Sequence, residues 1–308
     1  MSGGGRRCPV CGRDGLRRAF GTPHLTLDHC PRCGHNVAEH RASGARAGLD
    51  YHRQYDEGEF LRSLAATRRR QAKTILARIH AQLPGADELL DLGAGRGWFL
   101  DEARASGMRR IAGADTSEDS VSSLRERGVE GLLIAPPTET AWDLQLRSLS
   151  FRPRVLTLLD VIEHFAAERL PAMLRDIVDQ LQPELELVVI KVPVSDGLLY
   201  RTAGLLARAR VFGPLDQLYQ VGTFPPHFSY FSRRSLGQLL TAQELRAVDH
   251  IGLLEFDPST FGSRVAAIRR APRAVTRVLG ASVALVAERS THDSYVVLAR
   301  PEQRGGRP

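Results

Sequence analysis

Glu88-Leu89-Leu90-Asp91-Leu92, followed by Gly93-Ala94-Gly95-Arg96-Gly97, is the stretch that decides the fold. Three leucines in five residues read as a short buried strand. Three glycines in the next five read as a tight turn, and an apolar-periodic helix follows to about Ser106. Further strands are expected over 111–114, 131–134, 155–159 and 185–192, with helices over 117–127 and 166–181 between them. Alternation of this kind predicts an α/β fold with a mostly parallel sheet and helices on both faces.

In such a sheet, ligands bind beyond the carboxyl ends of the strands, near the point where strand order reverses. The first strand–turn–helix is therefore the place to look for a cofactor. Its glycines allow a tight turn and a close backbone approach, and Asp115, at the end of the second strand, can bind two ribose hydroxyls. The pattern departs from the dinucleotide fingerprint GxGxxG, because Trp98 stands where the last glycine belongs. The P-loop pattern GxxxxGK[ST] is absent.

Upstream, all four cysteines fall in the first 33 residues, as Cys8-Pro-Val-Cys11-Gly12 and Cys30-Pro-Arg-Cys33-Gly34. Two CxxC pairs at this separation have the spacing of a four-thiolate zinc site. Two disulfides or a redox dithiol compete, but no thioredoxin-like unit surrounds either pair. His24, His29 and His35 could substitute as ligands; with four thiolates at hand they are expected to be surface residues. So small a module has little core, and zinc should supply much of its folding energy. The chain thus divides into a zinc ribbon over 1–40, a helical linker over 41–85 and a main domain over 86–308. An apolar insertion over 195–226 is placed to act as a lid or substrate pocket.

The chain has 308 residues, 43% hydrophobic and 25% charged, which suits one large domain with a small companion. The N-terminal MSGGGRRCPVCG has no apolar core of the kind a secretory signal needs, and no apolar run reaches membrane-spanning length. A secreted disulfide scaffold, a collagen and a wholly disordered chain are excluded, and a cytoplasmic location is expected. The net charge of +7 raises nucleic acid as a partner, but the basic residues are dispersed and only Lys73 and Lys191 are lysines. A solvated basic surface is the simpler reading. From Arg264 to Arg277 there are five arginines and no acidic residue. An amphipathic helix there could touch an anionic membrane surface, or it could cover the sheet as the crossover to a closing strand over 293–300.

Leu89-Leu-Asp-Leu-Gly-Ala-Gly-Arg-Gly97 resembles motif I of the class I S-adenosylmethionine-dependent methyltransferases. The resemblance continues through Gly113-Ala-Asp115-Thr-Ser and through Leu159-Asp-Val-Ile-Glu-His-Phe165. That last stretch is similar to the DVxEH segment of members acting on quinone precursors, sugars and other small metabolites. Pro226-His227-Phe-Ser-Tyr-Phe-Ser-Arg-Arg-Ser-Leu236 also resembles a late segment of that branch, and many members carry a CxxCG ribbon with a tyrosine-bearing linker, here Tyr51 and Tyr55. The likeness spans roughly residues 8–250.

The resemblance implies a Rossmann-like fold, S-adenosylmethionine as cofactor and methyl transfer as the reaction. It implies that Gly93, Ala94, Gly95 and Gly97 lie against the methionine and ribose moieties and that Asp91 helps hold the amino group. Asp115 then takes the ribose hydroxyls with Thr116 beside it, and Asp160 and Val161 line the transfer site. Glu163 and His164 can support a divalent metal or orient a hydroxyl, and His227 can take a proton from an attacking hydroxyl. Each of these also has a plain structural role open to it, as a turn, cap or packing residue. The expected function is O-methylation of a small metabolite or glycan-type acceptor. The alternatives are an RNA methyltransferase, whose Asn/Asp-Pro-Pro-Tyr signature is missing here, and a non-catalytic binding protein.

Overall fold

The computed structural model describes residues 6–21, 25–40, 57–135, 144–197, 200, 226–254 and 293–302. In chain order, a three-stranded ribbon comes first: β1 (Arg17–Gly21), β2 (Leu25–His29) and β3 (Asn36–His40). A long helix α1 (Glu57–Gln82) leads into β4 (Glu88–Leu92), α2 (Trp98–Ala105), β5 (Arg110–Asp115), α3 (Glu118–Glu126) and β6 (Glu130–Leu133). Then follow β7 (Val155–Leu159), α4 (Leu170–Leu181), β8 (Leu187–Pro193), β9 (Ser229–Tyr230), α5 (Arg233–Ala242), β10 (Leu245–Leu253) and β11 (Ser294–Pro301).

The main sheet has seven strands in the order β10-β11-β8-β7-β4-β5-β6. Strands β8, β7, β4, β5 and β6 run parallel, while β11 is antiparallel to both β8 and β10. The chain winds outward from β4 to β6, then returns to β7 on the other side of β4. Strand order therefore reverses between β4 and β7, and the loops after these two strands part to leave a crevice.

Period-two side-chain alternation divides the core between the faces. Leu90, Leu92, Leu156, Leu158, Val188 and Ile190 face α4 and α5, whereas Leu89, Val155, Leu187 and Val189 face α1 and α2. Read from sequence as a linker, the segment before β4 contributes Ala72, Ile75, Leu76 and Ile79 to this second core, so α1 is a packed layer of the main domain. Ser117, expected inside α3, is its N-cap and accepts a hydrogen bond from the Ser120 amide. The last parallel strand begins at Leu187, two residues later than expected: the Leu185 amide still bonds the Leu181 carbonyl at the end of α4, and pairing with β7 starts at Leu187 opposite Val155.

The second sheet has the order β1-β2-β3-β9, so a two-residue strand from the main domain completes the ribbon. His35 departs from its expected surface position. It is fully buried with its ring 4.9 Å from that of Phe231, and burial lowers its pKa to about 3, which keeps the ring neutral. Among the described residues, no helix is long and apolar enough to cross a membrane. Tyr51, Tyr55, the arginine-rich stretch 264–277 and most of 195–226 lie outside the described residues.

Candidate active site

The glycine loop after β4 occupies the crevice. Gly93 and Ala94 donate their amides to the Ala114 carbonyl at 2.7 and 3.1 Å, which turns the chain sharply over the end of β5. At Gly93 φ is +81°, and a Cβ there would lie 2.4 Å from Cγ2 of Val161, so only glycine fits. The Gly95 amide donates to Asp115 Oδ2 at 2.7 Å, and the Ser117 amide donates to Oδ1 at 2.9 Å. Asp115 thus braces the glycine loop from the neighbouring strand, with its carboxylate half-buried at the rim. Thr116 is exposed beside it, and Gly97 at φ +73° opens α2.

An open cleft of about 250 Å³ lies between this loop and α1, and Asp91, Gly93, Ala94, Gly95, Asp160 and Lys191 line it. Strand register explains the arrangement. Asp91 stands opposite Thr157 on β7 and accepts its hydroxyl at 2.6 Å, while Lys191 on β8 stands opposite Leu159. Asp91 is buried, and loss of hydration raises its pKa to about 7, with Asp115's charge adding to the rise and the Thr157 bond opposing it. Asp160, at φ +58°, accepts two bonds from Lys191 Nζ at 2.8 and 2.7 Å and an ion pair from Arg68 on α1. Lys191 is 1% exposed. A buried lysine is maintained by such a paired carboxylate.

Neither Lys191 nor Arg68 was anticipated from sequence as a site residue. Lys191 had a legible signal, since one of only two lysines sits within the apolar run Leu187-Val-Val-Ile-Lys-Val-Pro193. Arg68 had none, because it reads as one of three consecutive arginines interrupting an apolar helix face. Gln71 and Trp98 also line the cleft and were not anticipated as site residues.

Beyond Val161 the chain makes one tight 3-10 turn, Ile162–His164, which carries the second group of expected residues. Glu163, His164 and His227 come together, each with a ligand-type atom within 4.8 Å of the others. His164 Nδ1–H donates to the Pro226 carbonyl at 3.1 Å, and its ring meets that of His227 edge-on with centroids 4.4 Å apart. Glu163 is fully buried and neither carboxyl oxygen has a hydrogen-bond partner. Burial, then the charge of Asp160, holds its pKa well above the carboxylate range. Two imidazoles with an orphaned carboxyl group can hold a divalent cation or pass a proton. Sequence alone placed Glu163 and His164 side by side, but the topology brings His227 to them from 63 residues downstream.

The cysteines form a second centre. Cys8 Sγ lies 3.7 Å from Cys33 Sγ, and Cys11 Sγ lies 3.7 Å from Cys30 Sγ, with no disulfide among the four. A tetrahedral zinc with Zn–S bonds of about 2.3 Å requires sulfurs about 3.8 Å apart, so the cluster fits the ion. Each pair closes a knuckle in which the following glycine returns its amide to the first cysteine's carbonyl: Gly12 to Cys8 at 2.9 Å and Gly34 to Cys30 at 2.8 Å. The Cys33 thiol donates to Cys8 and holds the Cys8 thiol below its ordinary range, which favours a thiolate there.

Among solved structures, the chain is similar to a 1,6-didemethyltoxoflavin-N1-methyltransferase of Burkholderia thailandensis, at 18% identity over 93% of this chain and all of that one, with a TM-score of 0.49. It is also similar to magnesium protoporphyrin IX methyltransferase of Synechocystis, at 14% identity over 78% and 86% of the two chains, with a TM-score of 0.46. A methyltransferase from Archaeoglobus fulgidus aligns at 19% identity over 74% and 94%, with a TM-score of 0.43. The comparison with curated proteins finds no match. Residues 64–250 match the family model described as a methyltransferase domain. That match spans more than half of the chain, from the first third of α1 through most of β10, and the chain belongs to the methyltransferase family.

Proposed function

We propose that this enzyme transfers a methyl group from S-adenosylmethionine to a hydroxyl of a small metabolite or glycan-type acceptor, with His227 as the proton acceptor. The observation that carries the reading is the meeting of Glu163, His164 and His227 directly after cleft-lining Asp160. When bound, S-adenosylmethionine supplies a sulfonium methyl already activated for in-line attack. The chain's task is then to bind, align and exclude water.

Gly93, Ala94, Gly95 and Gly97 provide the backbone surface against which the cofactor lies. Asp91 faces its amino group and Asp115 its ribose, with Thr116 at the rim; Asp160 and Val161 wall the acceptor side. His164 holds one tautomer through the Pro226 carbonyl. His227, packed against it, removes the hydroxyl proton as the acceptor oxygen takes the methyl. In a metal-assisted form Glu163, His164 and His227 would together hold a divalent cation, which would supply polarisation of the acceptor hydroxyl in place of proton removal by His227. In this reading the ribbon works as a metal-held module, α1 as the cofactor-side wall and the domain from residue 86 on as the catalytic body.

An acceptor screen with isotope-labelled cofactor, followed by mass analysis of the product, tests the reading. Methyl label on oxygen of a small acceptor supports it, and label on nucleic acid or nitrogen refutes it. With the acceptor in hand, His227→Ala should lower kcat by roughly 10²–10⁴-fold, the usual worth of a general base, and leave affinity for S-adenosylhomocysteine unchanged. Dependence of activity on added divalent cation in protein that keeps its ribbon zinc, together with an equal effect of Glu163→Gln, selects the metal-assisted form.

A further inference from the structure

The ribbon does not stand apart from the catalytic body. Strand β9 pairs with β3, Ser229 opposite Val37 and Tyr230 opposite Asn36, and the Ala38 amide donates to the Phe228 carbonyl at 2.9 Å. His40 Nε2–H donates to the carbonyl of His227 itself at 2.7 Å. At the other end of the segment, Ser232 Oγ donates to the carbonyl of Cys33 at 2.8 Å. A Cβ on neighbouring Gly34 would lie 2.9 Å from that hydroxyl oxygen, so the metal knuckle and the start of α5 are in close contact. On its opposite side the segment is tied to the catalytic turn, where the Phe228 amide donates to the Glu163 carbonyl at 2.8 Å.

We propose that the zinc ribbon is a positioning device for the catalytic histidine: with zinc bound, it fixes residues 227–232 and so sets His227 against His164. The inference rests on the function proposed above for its catalytic meaning. Its physical content, a metal-dependent clamp on this segment, is separate. The argument is one of connectivity. Residues 227–232 have the ribbon on one side and the 162–164 turn on the other, and the ribbon's order depends on its metal. The cofactor cleft is built from α1, the loop after β4 and the ends of β7 and β8, none of which the ribbon supplies.

The test uses the full chain, zinc-loaded and chelator-stripped, with metal content measured. Hydrogen exchange at the Phe228, Ser229 and Tyr230 amides and carbethoxylation of His227 by diethyl pyrocarbonate report the clamp. S-adenosylhomocysteine calorimetry and exchange over 88–115 report the cleft. On zinc removal the proposal expects the first pair to rise about tenfold or more, while the second pair stays within about twofold. His40→Ala, with zinc retained, should raise His227 modification, and His40→Gln, which restores a donor at the Nε2 position, should reverse the rise. Unchanged exchange and modification at 227–230 after zinc loss would overturn the proposal. So would a uniform loosening that includes 88–115, since the ribbon would then be a general stabiliser. Failure of S-adenosylhomocysteine to bind the zinc-loaded protein would count against the proposed function and leave the clamp to be judged on exchange and modification.

Discussion

Two glycines two residues apart should fail in opposite ways when changed to alanine. Both Gly93 and Gly95 have positive φ, +81° and +50°. A left-handed non-glycine residue costs roughly 1–2 kcal/mol, less about 0.4–1 kcal/mol recovered because alanine restricts the unfolded chain. For Gly95→Ala that is nearly the whole effect, since its Cβ would meet nothing within 4 Å. The expected loss is about 1 kcal/mol. Gly95 lines the cleft, however, so a methyl added there should weaken S-adenosylhomocysteine binding about tenfold, equivalent to about 1.4 kcal/mol.

Gly93→Ala carries the same backbone cost plus an overlap at 2.4 Å with Val161, a β-branched residue with little rotamer freedom. Overpacking of this kind adds about 1–3 kcal/mol, for a total near 3 kcal/mol. In a domain of this size that lowers Tm by roughly 6–12 °C. Thermal and urea unfolding without ligand, with calorimetry of S-adenosylhomocysteine on each variant, separates the two. Equal destabilisation by both changes, or full ligand affinity in Gly95→Ala, would refute the reasoning.

Asp91, with its pKa raised to about 7 in the folded state, binds a proton more tightly than when unfolded. Its contribution is therefore greatest below about pH 4 and is lost as pH rises toward about 7. Asp91→Asn should flatten stability across that window, read as the difference from the parent because Glu163 shifts in the same direction. A ligand ammonium favours the carboxylate, so S-adenosylhomocysteine affinity should climb through pH 7 in the parent and not in the variant. Lys191→Met should cost about 2–3 kcal/mol, below the usual loss for a broken buried pair because Asp160 keeps Arg68 and is 19% exposed. Adding Asp160→Asn should recover part of that, as a denaturation-based double-mutant cycle would show. The purified chain should contain one zinc, and Cys30→Ser should release it; metal analysis checks both.

The alternation of strand and helix was legible because β4, β5 and β7 are short, largely apolar and bounded by glycine or charge. The glycine loop was legible for a related reason, since its residue types are demanded by backbone geometry rather than by neighbours. Paired cysteines carry their chemistry in their spacing. What sequence could not give were partners made by topology. Lys191 needs the β7–β8 register to meet Asp160, and Arg68 needs α1 packed on the sheet face. His35 is a polar residue whose burial depends on Phe231, 196 residues away. The segment before β4 shows its helix and its apolar positions in the sequence, but that this face packs on the sheet is made by topology.

The place of β11 bears on how this chain is made. It is the last strand in sequence among the described residues, yet it sits inside the sheet between β8 and β10. During synthesis β8 therefore emerges with a bare edge, and β10 has no neighbour until residues 294–301 leave the ribosome. All the strands that flank the cofactor crevice are available long before this, so a nascent chain can form the crevice while its sheet remains open on one side. An uncovered parallel edge pairs readily with other strands. Premature termination shortly before Ser294 should thus yield a product that is aggregation-prone rather than simply less active, and a tag placed after Glu302 should be tolerated better than one inserted before Asp293.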